Sequence, residues 1–539
     1  MKLGIAYYPE HHKPDLWEKH MRLIKEAGIE RIRIGEFAWS RLQPAKGVYN
    51  WDWLDQSIEL AGRYGIEVVL CTPTACPPIW LVEEYPEVLP VNKFGDRLQF
   101  GKRQHRCYNA PAYIEHSRDI VERLGQRYGG NPNVVAWQLD NEFGGEEKEC
   151  YCDFCKKAFH EYLENKYHTI EELNDRWGNY FWSQDYQRWD QIPVPLRIDA
   201  ELLLKYNPSL ELEFLRFSSD SIVRFARMQA SILRKYARNQ IITTNTDTFY
   251  YGDNVNLLEL FRDLDIGAID VYSDRPHEVA FYADFMRSIK GDKFWMLEFP
   301  AERKNMAEGL ELLKSHNCEF VSFFKLNPFP AGQEQGTKAL LTLTGEPTGN
   351  YWIVKKWAEE QKDKKKQEEE EKAPPVGLYY DFDSSWTFTI ASWGGTIVER
   401  SLYPRYMLDT VYYSLYRAGC RIRFVLEPDQ IRQVDCLLLP WQILYKPELE
   451  KELIDFVKKG GRLVVTDNLF QKNEDNVYLT SVPKIYRELL NWHENNFIYP
   501  DENRKDPVIL REKAGKGQTL MIRSDAGRED WEGILREIL

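Results

Sequence analysis

Val134-Val135-Ala136-Trp137-Gln138-Leu139-Asp140-Asn141-Glu142 and Lys293-Phe294-Trp295-Met296-Leu297-Glu298 are two short apolar runs, and each closes on a glutamate. Continuous apolar runs of this length predict strands buried on both faces, as in a parallel sheet covered by helices. Six more runs of the same kind lie around them, at 3–8, 31–37, 67–72, 241–245, 269–272 and 320–326. Helical periodicity fills the gaps, for example at 17–27, 54–64, 114–128 and 215–236. Eight strands with helical crossovers predict an α/β fold, a (β/α)8 TIM barrel, with the two glutamates at the ends of strands four and seven. A nine-strand open sheet satisfies the same periodicity.

The charged run at 362–375, stopped by Pro374 and Pro375, marks a boundary. It divides a barrel over 1–372 from a second domain over 376–539. In that domain strands at 376–380, 421–426, 436–440 and 462–466 alternate with helices at 407–418 and 447–459, which predicts a smaller doubly wound α/β domain. It carries no glycine fingerprint or phosphate loop, so nucleotide binding is unsupported. Beyond about residue 501 there is one more strand, at 518–522, and no room for a further domain.

A net charge of -13 and a pI near 5.5 argue against a nucleic-acid surface, which needs clustered Lys and Arg. The opening Met1-Lys2-Leu3-Gly4-Ile5-Ala6-Tyr7-Tyr8-Pro9-Glu10 reads as neither signal peptide nor anchor, and nothing approaches the apolar length of a membrane span. A cytoplasmic protein is expected. Its nine cysteines, an odd number, speak against a disulfide framework.

Retaining hydrolysis of a glycosidic bond takes one carboxyl that protonates the leaving oxygen and another that attacks the anomeric carbon. Strands four and seven of a barrel can bring Glu142 and Glu298 together across its mouth. Asn141 places a donor for a sugar hydroxyl beside the first, and Glu298 has no adjacent Lys or Arg to lock it in a salt bridge. A second constellation is Cys107 with Cys150-Tyr151-Cys152-Asp153-Phe154-Cys155. Four thiolates at such spacing can close a tetrahedral structural zinc site; four reduced thiols are the alternative.

The segments Gly4-Ile5-Ala6-Tyr7-Tyr8-Pro9-Glu10, Arg33-Ile34-Gly35-Glu36-Phe37-Ala38-Trp39-Ser40, Thr72-Pro73-Thr74-Ala75-Cys76-Pro77-Pro78-Ile79-Trp80, Arg103-Gln104-His105 and Trp137 to Glu142, with the cysteine cluster, resemble the family 42 glycoside hydrolases, chiefly β-galactosidases. The resemblance implies a retaining β-galactosidase acting on terminal residues of oligosaccharides or small glycosides, with Glu142 as general acid/base and Glu298 as nucleophile. It implies that Arg103 and Asn141 bind the terminal sugar, that Tyr272 orients the nucleophile, that Trp182 walls the pocket and that Glu334 takes galactose hydroxyls. It further implies a structural zinc at the four cysteines, no catalytic cofactor, and an amidotransferase-like second domain used in trimer assembly. Two departures stand out. Members usually follow the nucleophile with a Gln-Pro-Gly-Pro-type stretch and a Trp, whereas this chain runs Glu298-Phe299-Pro300-Ala301-Glu302-Arg303-Lys304-Asn305. Three residues past Glu334, where members tend to place a His, stands Thr337. These changes leave open another terminal sugar, a β-glucoside, β-fucoside, β-mannoside or α-L-arabinopyranoside, and a barrel that binds carbohydrate without turnover. A metal-dependent hydrolase at the cysteine site is disfavoured by its four-thiolate ligand set.

Overall fold

The computed structural model describes residues 1–146, 148–196, 206–249, 252–363, 375–390, 402–492 and 507–538. Most of the charged run at 362–375 lies outside the described residues. The chain forms two compact units, one of Met1–Cys155, Ser218–Thr248 and Val255–Glu368, the other of Lys156–Phe217, Phe249–Asn254 and Glu369–Leu539. The division is thus not a single cut: two stretches from the first half of the chain group with the second unit.

The first unit is built on eight parallel strands: β1 (Lys2–Ala6), β2 (Arg31–Ile34), β3 (Glu67–Cys71), β4 (Val134–Gln138), β5 (Ile241–Thr243), β6 (Gly267–Asp270), β7 (Phe294–Pro300) and β8 (Cys318–Phe324). Their order, β5-β4-β3-β2-β1-β8-β7-β6, is that of a barrel, with ladders everywhere except between β5 and β6. That seam is bridged by single bonds, Asp270 N to Thr246 O at 2.9 Å and Thr243 Oγ1 to Ile266 O at 2.7 Å. β5 is three residues long, and its Ile242 carbonyl accepts from Asp265 N at 2.9 Å on this edge.

The strands divide along their length. Near their amino ends, Val69, Ala136, Ala268, Trp295 and Phe320 pack into one apolar cluster, with the Arg31 guanidinium over the rings of Trp295 and Phe320. Near their carboxyl ends, β2, β4, β6 and β7 supply buried Arg33, Gln138, Asp270 and Glu298. The apolar half holds the ring closed, and the polar half is free to carry chemistry, the usual division in such barrels.

In the second unit β9 (Val376–Tyr379), β10 (Ile422–Val425), β11 (Cys436–Leu439), β12 (Arg462–Thr466), β13 (Val508–Ala514) and β14 (Gly517–Ile522) form a sheet ordered β10-β9-β11-β12-β14-β13. All pair in parallel except β13, which is antiparallel to β14. β13 was invisible to the sequence reading because its burial alternates between partly buried and exposed residues, so it carries no continuous apolar run. Among the described residues no helix is long and apolar enough to cross a membrane.

Candidate active site

β4 and β7 deliver the two glutamates to one end of the barrel. Asp140 and Glu142 both adopt left-handed backbone, with φ of 51° and 45°, so the chain turns sharply as it leaves β4. Strain of this kind is held where the surroundings over-determine it, commonly at functional sites. Carboxylate oxygens of Glu142, Asp270 and Glu298 all lie within 4.8 Å of one another. Retaining glycosidases place their two carboxyls about 5–5.5 Å apart, whereas inverting ones leave about 6.5–9.5 Å for a water.

The two glutamates have opposite surroundings. Both oxygens of Glu298 are held by donors, Oε1 by Arg33 Nη2 at 2.6 Å and Oε2 by the Tyr272 hydroxyl at 2.5 Å. Sequence adjacency had left Glu298 without a cation; the fold supplies one from β2, at the far end of the primary sequence. Arg33 is itself fixed, donating to Glu36 Oε1 at 3.1 Å and Gln138 Oε1 at 3.1 Å. Gly35, at φ 98°, turns the chain back so that Glu36 reaches Arg33, and the Tyr8 hydroxyl donates to Glu36 at 2.5 Å. Glu142, 7% exposed, meets Arg103 Nη2 at 2.9 Å and Asn141 Nδ2 at 3.2 Å. Burial and then the charge of Glu298 push its carboxyl above the usual range, and Arg103 only partly offsets them.

Asn245, just past β5, ties the acids together. Its Oδ1 accepts from the Glu142 amide at 3.0 Å and from Gln138 Nε2 at 2.9 Å, while its Nδ2 donates to Asn141 Oδ1 at 2.9 Å and Asp270 Oδ2 at 2.6 Å. Asp270 is fully buried, and burial together with the charges of Glu298 and Glu142 raises its carboxyl well above the ordinary value. Arg103 also pairs with Glu146 at 2.7 Å. Glu334 is 40% exposed at its side chain and lies 3.8 Å from the Nζ of Lys325, which follows β8 directly.

Arg33 is the buried cation shared by Glu36 and Glu298. Arg33→Ala leaves Glu36 and Glu298 buried without a cation, so the fold is expected to lose about 3–5 kcal/mol in denaturant titration. Turnover is expected to fall with it, because Glu298 Oε1 loses the donor that orients it; an unchanged denaturation midpoint would refute this.

The profile of glycoside hydrolase family 42, described as Beta-galactosidase, matches residues 6–363. The chain belongs to that family. A second profile, described as the Beta-galactosidase trimerisation domain, matches residues 375–497. Curated relatives include beta-galactosidase BgaA of Clostridium cellulovorans, 34% identical over 89% of this chain and 74% of its own length, and BgaH of Haloferax lucentense, 32% identical over 88% and 74%. Among solved structures, a beta-galactosidase of the Antarctic haloarchaeon Halorubrum lacusprofundi superposes with a TM-score of 0.87 at 27% identity, over 100% of this chain and 89% of that one. A beta-galactosidase of the psychrophilic Marinomonas ef1 gives 0.86 at 26%, over 100% and 90%.

In this family 42 chain the Sγ atoms of Cys107, Cys150, Cys152 and Cys155 all lie within 4.8 Å of one another, with Cys107 3.7 Å from Cys152 and 3.4 Å from Cys155. A tetrahedral zinc with Zn–S bonds of about 2.3 Å sets its sulfurs about 3.8 Å apart. The Val91 amide donates to Cys150 Sγ, and Asn109 donates to Cys107 Sγ and Cys155 Sγ, each at 3.4 Å, which suits thiolate acceptors. Trp182 belongs to the second unit, is exposed, and has its ring centroid 4.8 Å from that of Phe181. The sequence reading missed Tyr8, Arg33, Glu36, Gln138, Asn245 and Asp270 as members of the site. A signal existed for one: Arg33 is a charge inside a buried strand, which must find a partner.

Proposed function

We propose that this family 42 glycoside hydrolase is an exo-acting, retaining β-galactosidase that works by double displacement. The observation that carries the reading is the pair of close carboxyls in contrasting surroundings, Glu298 held by Arg33 and Tyr272 and Glu142 raised by burial. In the first step a Glu298 oxygen attacks the anomeric carbon, the bond to the leaving oxygen breaks, and the Glu142 proton passes to that oxygen. Esterified Glu298 carries no charge, so one cause of the raised Glu142 pKa disappears and Glu142 becomes the stronger acid, hence a deprotonated base. It then takes a proton from water, the hydroxide attacks the anomeric carbon, and Glu298 leaves as carboxylate. Arg103, Asn141 and Glu334 would hold the sugar and Tyr272 would hold the nucleophile.

The test is proton NMR of a nitrophenyl β-galactoside digest, in which β-galactose is expected as the first product before mutarotation. α-Galactose first would overturn retention. A different terminal sugar is the second reading, favoured by Thr337 and by the loop after Glu298 that lacks a Trp. A panel of nitrophenyl β-glucoside, β-fucoside, β-mannoside and α-L-arabinopyranoside separates it from the first.

The four cysteines fit a structural zinc, held by Cys107, Cys150, Cys152 and Cys155 and leaving no ligand position open for chemistry. Cys107 lies on the segment that carries Arg103 and Gln104, and the other three follow Glu142 and Glu146. Gln104 Nε2 already donates to the carbonyls of Asn141 and Glu142, at 3.0 and 3.1 Å. A staple between these segments would hold Arg103 against Glu142. Metal analysis is expected to find one zinc per chain, and its removal by a chelator to lower the melting temperature; a metal-free chain melting identically would remove the staple. The trimerisation-domain match over 375–497 supports a homo-oligomer, which we take as a trimer, and nine free cysteines support a reducing cytoplasmic setting.

A further inference from the structure

Asn245 takes no part in the reaction scheme, yet every donor and acceptor of its side chain is used. It is fully buried, with Oδ1 accepting from the Glu142 amide at 3.0 Å and Gln138 Nε2 at 2.9 Å. Its Nδ2 donates to Asn141 Oδ1 at 2.9 Å and Asp270 Oδ2 at 2.6 Å.

The direction in which these amides face is imposed from outside them. A guanidinium and a backbone N–H can only donate. Arg33 Nη1 therefore turns the oxygen of Gln138 to itself, at 3.1 Å, which leaves Gln138 Nε2 facing Asn245. That group and the Glu142 amide together claim Oδ1 of Asn245, so its Nδ2 meets the oxygen of Asn141. Asn141 is left with its own Nδ2 toward Glu142, where it donates to Oε2 at 3.2 Å. Arg103 Nη2 stands 2.9 Å from the same oxygen. Among the described residues none donates to Glu142 Oε1. A protonated carboxyl accepts at its carbonyl oxygen, so N–H groups gathered on Oε2 leave the proton to Oε1. The bond from the Glu142 amide to Asn245 also holds the left-handed turn, φ 45°, from which the acid projects.

We propose that Asn245 is a positioning residue of the reaction: by turning Asn141 it keeps Glu142 Oε2 occupied by donors and makes Oε1 the oxygen that carries the proton for the leaving group. The proposal rests on the reading of Glu142 as the acid. It joins the two halves of the site, since the guanidinium that holds Glu298 also sets the order of amides that ends on Glu142.

The experiment sets wild type beside Asn245→Asp, which keeps the size of the side chain but accepts at both oxygens. The second oxygen would face Asn141 Oδ1, so Asn141 turns over, Glu142 Oε2 meets an acceptor and the proton moves to it. The ratio of kcat/KM on dinitrophenyl galactoside to that on an alkyl galactoside is expected to rise roughly ten- to a hundredfold, because only the alkyl leaving group needs the proton. A loss of sugar binding common to both substrates cancels in that ratio. In the Glu142→Gln background, where no acid remains, the same substitution is expected to leave the ratio within about threefold. An unchanged ratio in the single variant, or an equal rise in both backgrounds, overturns the proposal. Neutron diffraction from wild-type crystals in heavy water needs no variant to fold. At neutral pH, where burial and the Glu298 charge keep Glu142 protonated, the deuteron is expected on Oε1, with Asn141 Nδ2 toward Oε2. A deuteron on Oε2, or Asn141 Oδ1 facing it, overturns the proposal. A wild type that releases no nitrophenol from any galactoside instead refutes the functional reading, whatever the deuteron shows, so the two failures are distinct.

Discussion

Glu298→Ala is expected to abolish turnover of every glycoside, by roughly 10⁴- to 10⁶-fold in kcat, as removal of a nucleophile from a cooperating pair does. The loss is chemical rather than structural. Glu298 is the acceptor for Arg33 and Tyr272, but Arg33 keeps Glu36 and Gln138 as partners when that carboxylate goes. A 2-deoxy-2-fluoro galactoside with a good leaving group should trap wild type as a covalent ester on the peptide carrying Glu298. Azide should rescue the alanine variant by attacking from the vacated face and should yield the α-galactosyl azide. Trapping on any other residue, or turnover within about tenfold of wild type, would end the assignment of Glu298 as nucleophile.

Glu142→Ala is the second large effect, and it is selective. A dinitrophenolate leaves without help, whereas a sugar or alkyl alcohol needs its proton, so alkyl galactosides should lose roughly 10²- to 10⁴-fold in kcat/KM and dinitrophenyl galactoside far less. Azide should restore the second step and give the β-galactosyl azide. The pH profile carries the same signature. Glu142 acts as an acid only while protonated, and burial and the Glu298 charge keep it so to higher pH than an ordinary carboxyl. The alkaline fall of kcat/KM is thus expected to belong to Glu142 and to disappear in Glu142→Gln. Equal losses on both kinds of leaving group, or an alkaline limb that persists in the glutamine variant, would count against it.

Much of the framework was legible before the chain folded. Each of the eight barrel strands falls within a few residues of its expected run, because a strand buried on both faces must be apolar throughout and leaves that mark whatever its neighbours are. β13 left none, since an antiparallel edge strand with exposed positions needs no such run. In the site, Glu142 and Glu298 could be paired from the order of their strands around a barrel. Asn245 and Asp270 could not: the one follows a strand of three residues and the other ends one of four, and nothing local shows that they face each other. Glu298 has no adjacent Lys or Arg in sequence, yet in space Arg33 pairs with it.

What the sequence determined by itself is therefore the repeating βα pattern, the two strand-end glutamates, and a set of closely spaced cysteines at 150, 152 and 155. What only the tertiary structure decided is the division of labour between the acids. Acidity depends on burial and on charges a few ångströms away, and those distances exist only once β2, β4, β6 and β7 close into one ring that sets Arg33 on Glu298, Arg103 on Glu142 and Lys325 beside Glu334.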